Sequence, residues 1–312
     1  MNRREKLLHQ LPVADLLGVE IGPLCRPVVR RTDGRVYYSD YLSTAELHAK
    51  YRDDPLVDVG TMVDVDIVTA QGQSLADAYR FSERPDYVLA SHLIEHVPDL
   101  IGWLASLRRL LKANGQVRLA VPDRRFTFDL LRSETRLCDV ALAHLMQTQV
   151  PLPHVVIDHT FNMAKVDALD AWQGKINPDR LEKYHDPATV LHFARDALHN
   201  QGYHDVHCWT FTPHSFAVLF EQMAELDLLQ FACDGCFETA FGEIEFFVTL
   251  RGCDDKAEIS RSWRAMRDGL DAAVPKPATP ASTEGLELQR PSRFTVLQHV
   301  IRRAAGRITR RR

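Results

Sequence analysis

Through the first 121 residues, short runs of consecutive apolar residues alternate with longer stretches in which apolar positions recur every three or four residues. Several of the short runs end at Gly, Asp or Pro, and we read residues 16–21, 36–39, 63–68, 87–91 and 116–121 as strands. Between the last two, Leu100, Trp103, Leu104, Leu107, Leu110 and Leu111 share one helical face, and Asn114-Gly115 offers a left-handed cap at which such a helix stops. Strands alternating with helices predict an α/β fold built on a parallel sheet. After Val121 the alternation lapses. Residues 124–200 are polar and histidine-bearing, with helical patches but no strand pattern, and read as an inserted region. The sheet pattern resumes at 206–211, passes through a helix carrying Phe216, Leu219, Phe220 and Met223, and closes with the alternating run 243–250. Pro275, Pro277, Pro280 and Pro291 among small and polar residues mark 275–292 as a linker.

Composition excludes several classes. The 312 residues are 45% hydrophobic and 26% charged, enough to close a core without disulfide or metal and too apolar for a disordered chain. No window approaches the roughly 18 uninterrupted apolar residues of a membrane span. The charged start Met1-Asn2-Arg3-Arg4 has no apolar segment behind it, so neither export nor spanning is expected. Six scattered cysteines, including the lone Cys233-Asp234-Gly235-Cys236 pair, are then read as reduced thiols of a cytoplasmic protein.

Charge is uneven along the chain. The formal net charge is −4, yet residues 290–312 hold eight arginines and no acid, which leaves −12 on residues 1–289. Such an acidic body is ill suited to a phosphate backbone, and no nucleic acid partner is expected. In the tail, Phe294, Leu297, Ile301, Ala304 and Ile308 share a helical face, with most of the arginines off it. Residues 293–312 thus read as a basic amphipathic helix, for which peripheral contact with the inner face of an anionic membrane and docking onto a protein partner both stay open.

Three strand ends carry residues suited to a ligand. In Val19-Glu20-Ile21-Gly22-Pro23 a buried strand runs into a glycine, where backbone approaches a ligand with no Cβ in the way. Asp40 follows the second strand, where a carboxylate can accept both hydroxyls of a ribose. The fourth strand continues into Ser91-His92-Leu93-Ile94-Glu95-His96-Val97. In this combination and order the chain resembles the class I S-adenosylmethionine-dependent methyltransferases, particularly a bacterial subgroup with His-x-x-Glu-His after the fourth strand. The resemblance covers about residues 14–129 and, more loosely, 203–250. It implies a Rossmann-like, seven-stranded, mostly parallel sheet with helices on both faces, an inserted helical region and a C-terminal helical tail. The corresponding layout is a methyltransferase-like domain over 1–253 with the insertion at about 124–200, a helix at 254–274, the linker and the basic helix.

The resemblance also implies S-adenosylmethionine as cofactor. Glu20 and Gly22, with Pro23 beside them, would meet its methionine part, Asp40 its ribose, and Gln71, Gly72 and Ser74 its adenine, while His92 would line the sulfonium side. Two departures stand out: the glycine-rich loop is reduced to Gly22-Pro23-Leu24-Cys25-Arg26-Pro27, and Gln71 stands where an acid is usual.

Methyl transfer from a sulfonium needs the acceptor aligned and, for a hydroxyl, its proton removed. His96 and His92 are the candidate bases, with Glu95 either orienting His96 or acting itself, and a purely structural helix-start role for His96 also stays open. Asp123, in the Asp123-Arg124-Arg125-Phe126 stretch after the fifth strand, is a candidate for the acceptor pocket or for a loop salt bridge. No metal site is expected: His154, Asp158 and His159 have metal-capable side chains, but His154 and Asp158 also suit caps and core contacts of the insertion. The expected activity is methyl transfer to a hydroxyl of a small molecule, sugar or glycan in surface-polysaccharide biosynthesis, and the alternative is a catalytically degenerate fold that binds a glycan or protein.

Overall fold

The computed structural model describes residues 1–70 and 72–273. Gln71, the 275–292 linker and the basic helix at 293–312 lie outside the described residues. In chain order the elements are α1 (Arg3–Leu7), β1 (Leu17–Ile21), β2 (Arg35–Asp40), α2 (Thr44–Tyr51), β3 (Ile67–Val68), α3 (Leu75–Ala78), β4 (Tyr87–Ser91), α4 (Leu100–Leu110), β5 (Gln116–Pro122), α5 (Leu137–Leu145), α6 (Pro153–Asn162), α7 (Ala168–Trp172), α8 (Pro187–Asn200), α9 (Pro213–Glu225), β6 (Phe231–Phe237), β7 (Glu245–Gly252) and α10 (Lys256–Ala273).

The strands form one seven-stranded sheet in the order β3-β2-β1-β4-β5-β7-β6. β1 to β5 pair in parallel, and β7 runs antiparallel to both β5 and β6. The order reverses between β1 and β4, so the carboxyl ends of these neighbours flank the crevice where open α/β sheets bind ligands.

Strand periodicity sorts side chains onto two faces. Val88, Ala90, Val117, Leu119, Val121, Phe246 and Val248 point into the larger core, which α4, α9 and α10 close with Leu104, Leu107, Phe216, Phe220 and Trp263. Tyr87, Leu89, Ala120 and Phe247 point the other way and are covered by Leu7 of α1 and by Val28 and Val29 of the β1–β2 loop.

Three sequence expectations are corrected. Residues 206–211 are buried but are not a sheet strand. Their amides at Cys208 and Trp209 both donate to Glu95 O, and Phe211 makes an isolated bridge to Asp123. The sixth strand is instead β6, which the Cys233-Asp234-Gly235-Cys236 stretch disguises because a register shift falls between Cys233 and Gly235. β3 keeps two residues of the expected six: the Asp66 carboxylate takes the Tyr38 amide, and Val65 N donates to Thr44 Oγ1. Finally, α4 ends at Leu110 with Leu111 extended, so Asn114-Gly115 forms no left-handed cap but a turn into β5.

Candidate active site

A cavity of about 650 Å³ opens over the carboxyl ends of β1, β2 and β4. Its wall includes Gly22, Asp40, Thr69, Gly72, His92, His96, Tyr203 and Asp205. Gly22 leaves β1 at φ +65 and donates its amide to Ser39 O at 2.8 Å. A Cβ at this position would meet no atom within 4 Å, so the backbone here faces open space. Asp40 ends β2 with its Oδ1 accepting the Tyr41 amide at 2.8 Å. A glycine open to the cavity, a carboxylate at the next strand end and a volume in the range of cofactor pockets fit an S-adenosyl ligand.

Other expected cofactor residues do not reach this wall. Glu20 is buried with its carboxylate turned back to accept the amides of Val28 (2.7 Å) and Val29 (3.0 Å), so it shapes the loop rather than a ligand. Burial pushes its carboxyl up to about 7 against the opposing pull of those two amides. Pro23 is buried in the same loop, where Leu24 at φ +50 packs beside Leu47, Tyr51 and Val57. Ser74 caps α3 through the Asp77 amide. Asp123 is fully buried: its Oδ2 accepts Thr239 Oγ1 at 2.7 Å and Arg125 Nη2 at 2.6 Å, and its Oδ1 accepts the Arg125 amide. The salt-bridge alternative therefore holds for Asp123.

The histidines divide. His92 sits in the left-handed region at φ +49, and its Nε2 pairs with Glu245 Oε2 at 2.8 Å on the sheet's antiparallel side. Arg3 Nε joins the same carboxylate at 2.8 Å. Burial pushes Glu245 up, but Arg3 and His92 outweigh it and hold the carboxyl at about 2. His92 is thus committed to a hydrogen bond with Glu245 although it borders the cavity. His96 has its Nδ1 3.2 Å from Asp205 Oδ1 and its Nε2 3.9 Å from Glu95 Oε1.

Behind His96 lies a buried polar layer that the sequence did not announce. His207, read as a strand interior, has its Nδ1 2.5 Å from Asp129 Oδ2, and its ring meets His96 edge-on with centroids 4.6 Å apart. Arg132 donates to Asp129 at 2.9 Å and to Asp158 at 2.7 Å. His159 Nδ1 accepts the His207 amide at 3.2 Å, and burial together with Arg132 lowers its basicity strongly. The available signal was Tyr203-His204-Asp205-Val206-His207, a density of hydrogen-bonding side chains unusual for a strand interior.

A parallel sheet ending in an antiparallel hairpin, with its ligand crevice at the β1/β4 switch, defines a nucleoside-cofactor transferase of the class I type. The profile of the family described as "Methyltransferase domain" matches residues 17–229, and the chain belongs to that family. It is an S-adenosylmethionine-dependent methyltransferase. No curated protein matches the chain. Among solved structures it is similar to a 1,6-didemethyltoxoflavin-N1-methyltransferase of Burkholderia thailandensis, solved with S-adenosylhomocysteine (12% identity, 80% of this chain and 76% of that one, TM-score 0.40). It is also similar to an S-adenosylmethionine-dependent methyltransferase of Mesorhizobium loti (12%, 80% and 98%, 0.41) and to one of Methanosarcina mazei (14%, 79% and 97%, 0.38). No helix among the described residues is long and apolar enough to cross a membrane.

Proposed function

We propose that the chain transfers the methyl group of S-adenosylmethionine to a hydroxyl of a sugar or glycan acceptor, with His96 taking the proton. The observation that carries this reading is that Gly22, Asp40 and His96 line one cavity. In the proposed arrangement Gly22 admits the amino-acid end of the cofactor and Asp40 holds its ribose, with Gly72 beside the adenine. Tyr203, Asp205 and His96 give the cavity hydrogen-bonding groups suited to a polyhydroxylated acceptor, which supports a sugar over an apolar one. Asp205, 3.2 Å from Nδ1, orients the His96 imidazole so that Nε2 can take the proton as the hydroxyl ionises. The non-catalytic alternative drew its support from the glycine-poor loop, and that loop leaves Gly22 open.

Calorimetric titration with S-adenosylhomocysteine, together with turnover on a panel of sugar acceptors, tests the reading. Asp40→Ala should weaken the cofactor analogue at least tenfold. His96→Ala should leave that affinity unchanged and lower turnover by about 10²–10⁴-fold. Wild-type protein that ignores the analogue at millimolar concentration refutes the cofactor assignment, and a fully active His96→Ala refutes the base.

A further inference from the structure

Glu95 lies in the turn after β4, fully buried, and among the described residues neither of its carboxylate oxygens has a hydrogen-bond partner. Its Oε1 is 3.9 Å from His96 Nε2 and 4.0 Å from His207 Nε2, and the donor atoms of the three residues all fall within 4.8 Å of one another. These separations are too long for hydrogen bonds. His207 Nε2 is likewise buried and without a partner. Behind each ring stands a carboxylate: Asp129 at His207 Nδ1 and Asp205 at His96 Nδ1. Asp129 Oδ1 accepts Arg132 Nη1 and its Oδ2 lies 2.5 Å from His207 Nδ1, so Nδ1 is held by that carboxylate and Nε2 is the ring nitrogen left facing Glu95.

A buried carboxylate with no hydrogen-bond partner on either oxygen is unfavourable unless a cation lies beside it. The surrounding charge does not supply one. Arg132, the guanidinium of this layer, is bound to Asp129 and Asp158. His159 faces the layer with its Nδ1 accepting the His207 amide.

We propose that Glu95 Oε1, His96 Nε2 and His207 Nε2 bind a divalent transition-metal ion, with Asp129 and Asp205 as the outer carboxylates that orient the two imidazoles. Two imidazole nitrogens and one carboxylate oxygen suit zinc and its first-row neighbours, whereas magnesium and calcium favour all-oxygen sets. A tetrahedral ion about 2.0–2.2 Å from each donor holds the donors roughly 3.3–3.6 Å apart, so the two imidazoles, 3.9 and 4.0 Å from Glu95 Oε1 and all within 4.8 Å of one another, need to draw in by roughly half an ångström toward Glu95 and by up to about 1.5 Å toward each other. His96 belongs both to the donor set and to the cavity wall, which puts the ion beside the cavity. There a Lewis acid would lower the pKa of an acceptor hydroxyl; with Nε2 on the ion, His96 is a ligand in place of the base, the proton passes to water, and the alkoxide oxygen takes the methyl group as its bond to sulfur breaks and S-adenosylhomocysteine leaves. That catalytic consequence rests on the methyl-transfer reading; the site itself rests on the donor geometry.

The test is ion binding by the full chain, produced without a histidine tag, stripped with chelator and titrated separately with Co²⁺ and Zn²⁺. Co²⁺ visible absorption, metal content after gel filtration and thermal unfolding are the readouts. The wild type should take up about one ion per chain and gain thermal stability with it. Glu95→Gln and His207→Gln should each weaken binding at least tenfold, whereas a His192→Ala/His199→Ala variant, which removes two exposed imidazoles of α8, should keep it. If the buried-site variants fail to fold, X-ray absorption of the Zn²⁺-loaded wild type decides, since it must show a nitrogen and oxygen shell containing two imidazoles. No uptake at hundred-micromolar ion overturns the proposal, as does a different shell or uptake lost in the α8 variant and kept in His207→Gln. S-adenosylhomocysteine titration of the same stripped protein separates the outcomes, because analogue binding without any ion uptake leaves the methyl-transfer reading intact and removes the metal.

Discussion

Replacing Gly22 with alanine separates backbone strain from ligand contact. The residue sits at φ +65, where an L-residue costs about 1–2 kcal/mol, and a Cβ there meets no atom within 4 Å, so no packing clash is added. The expected loss of stability is therefore about 1 kcal/mol, read as a fall of about 2–4 °C in Tm. The loss of affinity has another origin. The methyl group projects into the cavity at the point where the amino-acid end of the cofactor is proposed to pass. If it displaces two hydrogen bonds worth about 1 kcal/mol each, Kd rises roughly thirtyfold. Gly174, in the turn after α7, has the same φ of +65, no atom within 4 Å of a built Cβ and no place in the cavity wall. Gly174→Ala thus controls for strain: it should match the Tm shift and leave affinity alone. Titration calorimetry with S-adenosylhomocysteine and thermal unfolding of the two variants check this. Wild-type affinity in Gly22→Ala, or equal weakening in Gly174→Ala, refutes the reasoning.

Two further predictions concern what holds the site's framework. With its folded pKa at about 2 and an ordinary value of 4.5, Glu245 contributes stability that is present above pH 4.5 and lost as pH falls toward 2. Glu245→Gln should therefore trail the wild type by up to about 3 kcal/mol near pH 7, with the gap closing below pH 4.5. Urea unfolding across pH measures this, and a gap that ignores pH rejects the ion pair as its source. Trp263 of α10 is fully buried against Phe220 and donates its Nε1 to Phe231 O at 2.9 Å. Trp263→Ala should cost about 3–5 kcal/mol while leaving analogue affinity in the folded fraction unchanged, and a loss under 1 kcal/mol in chemical unfolding contradicts its place in the core.

β1, β2, β4 and β5 were legible because each is a short, largely buried run of mostly apolar residues whose pattern survives without knowledge of its neighbours, whereas the alternating 63–68 stretch was overextended around the two-residue β3. Residues at strand ends inherit that legibility, and Gly22, Asp40, His92 and His96 meet at one cavity because β1, β2 and β4 are adjacent and parallel. Where the reading failed, burial and pairing came apart. Residues 206–211 carry the apolar content of a strand, yet their amides serve Glu95 O rather than a ladder. Conversely, β6 pairs along its length although an aspartate and a glycine interrupt it. His207 meets Asp129 across 78 residues of chain and His96 meets Asp205 across the same insertion. No local period encodes such a return, so the polar layer is visible only once the chain is folded.

The loop after β1 gives the most instructive departure. A glycine-rich turn reaches its shape because its residues tolerate any φ, and it must lose that freedom on folding. Here Pro23 and Pro27 restrict φ at two positions, Leu24 is fixed at φ +50 by burial beside Leu47 and Tyr51, and Glu20 holds the far end through the Val28 and Val29 amides. The shape is set by side-chain burial and one carboxylate, and glycine is retained at the position that faces the cavity. That division explains why Glu20 sits at the expected place in sequence yet turns away from the ligand space. A loop ordered in this way has little freedom left to lose when a cofactor arrives, so the absence of further glycines is compatible with binding and favours a preformed cradle.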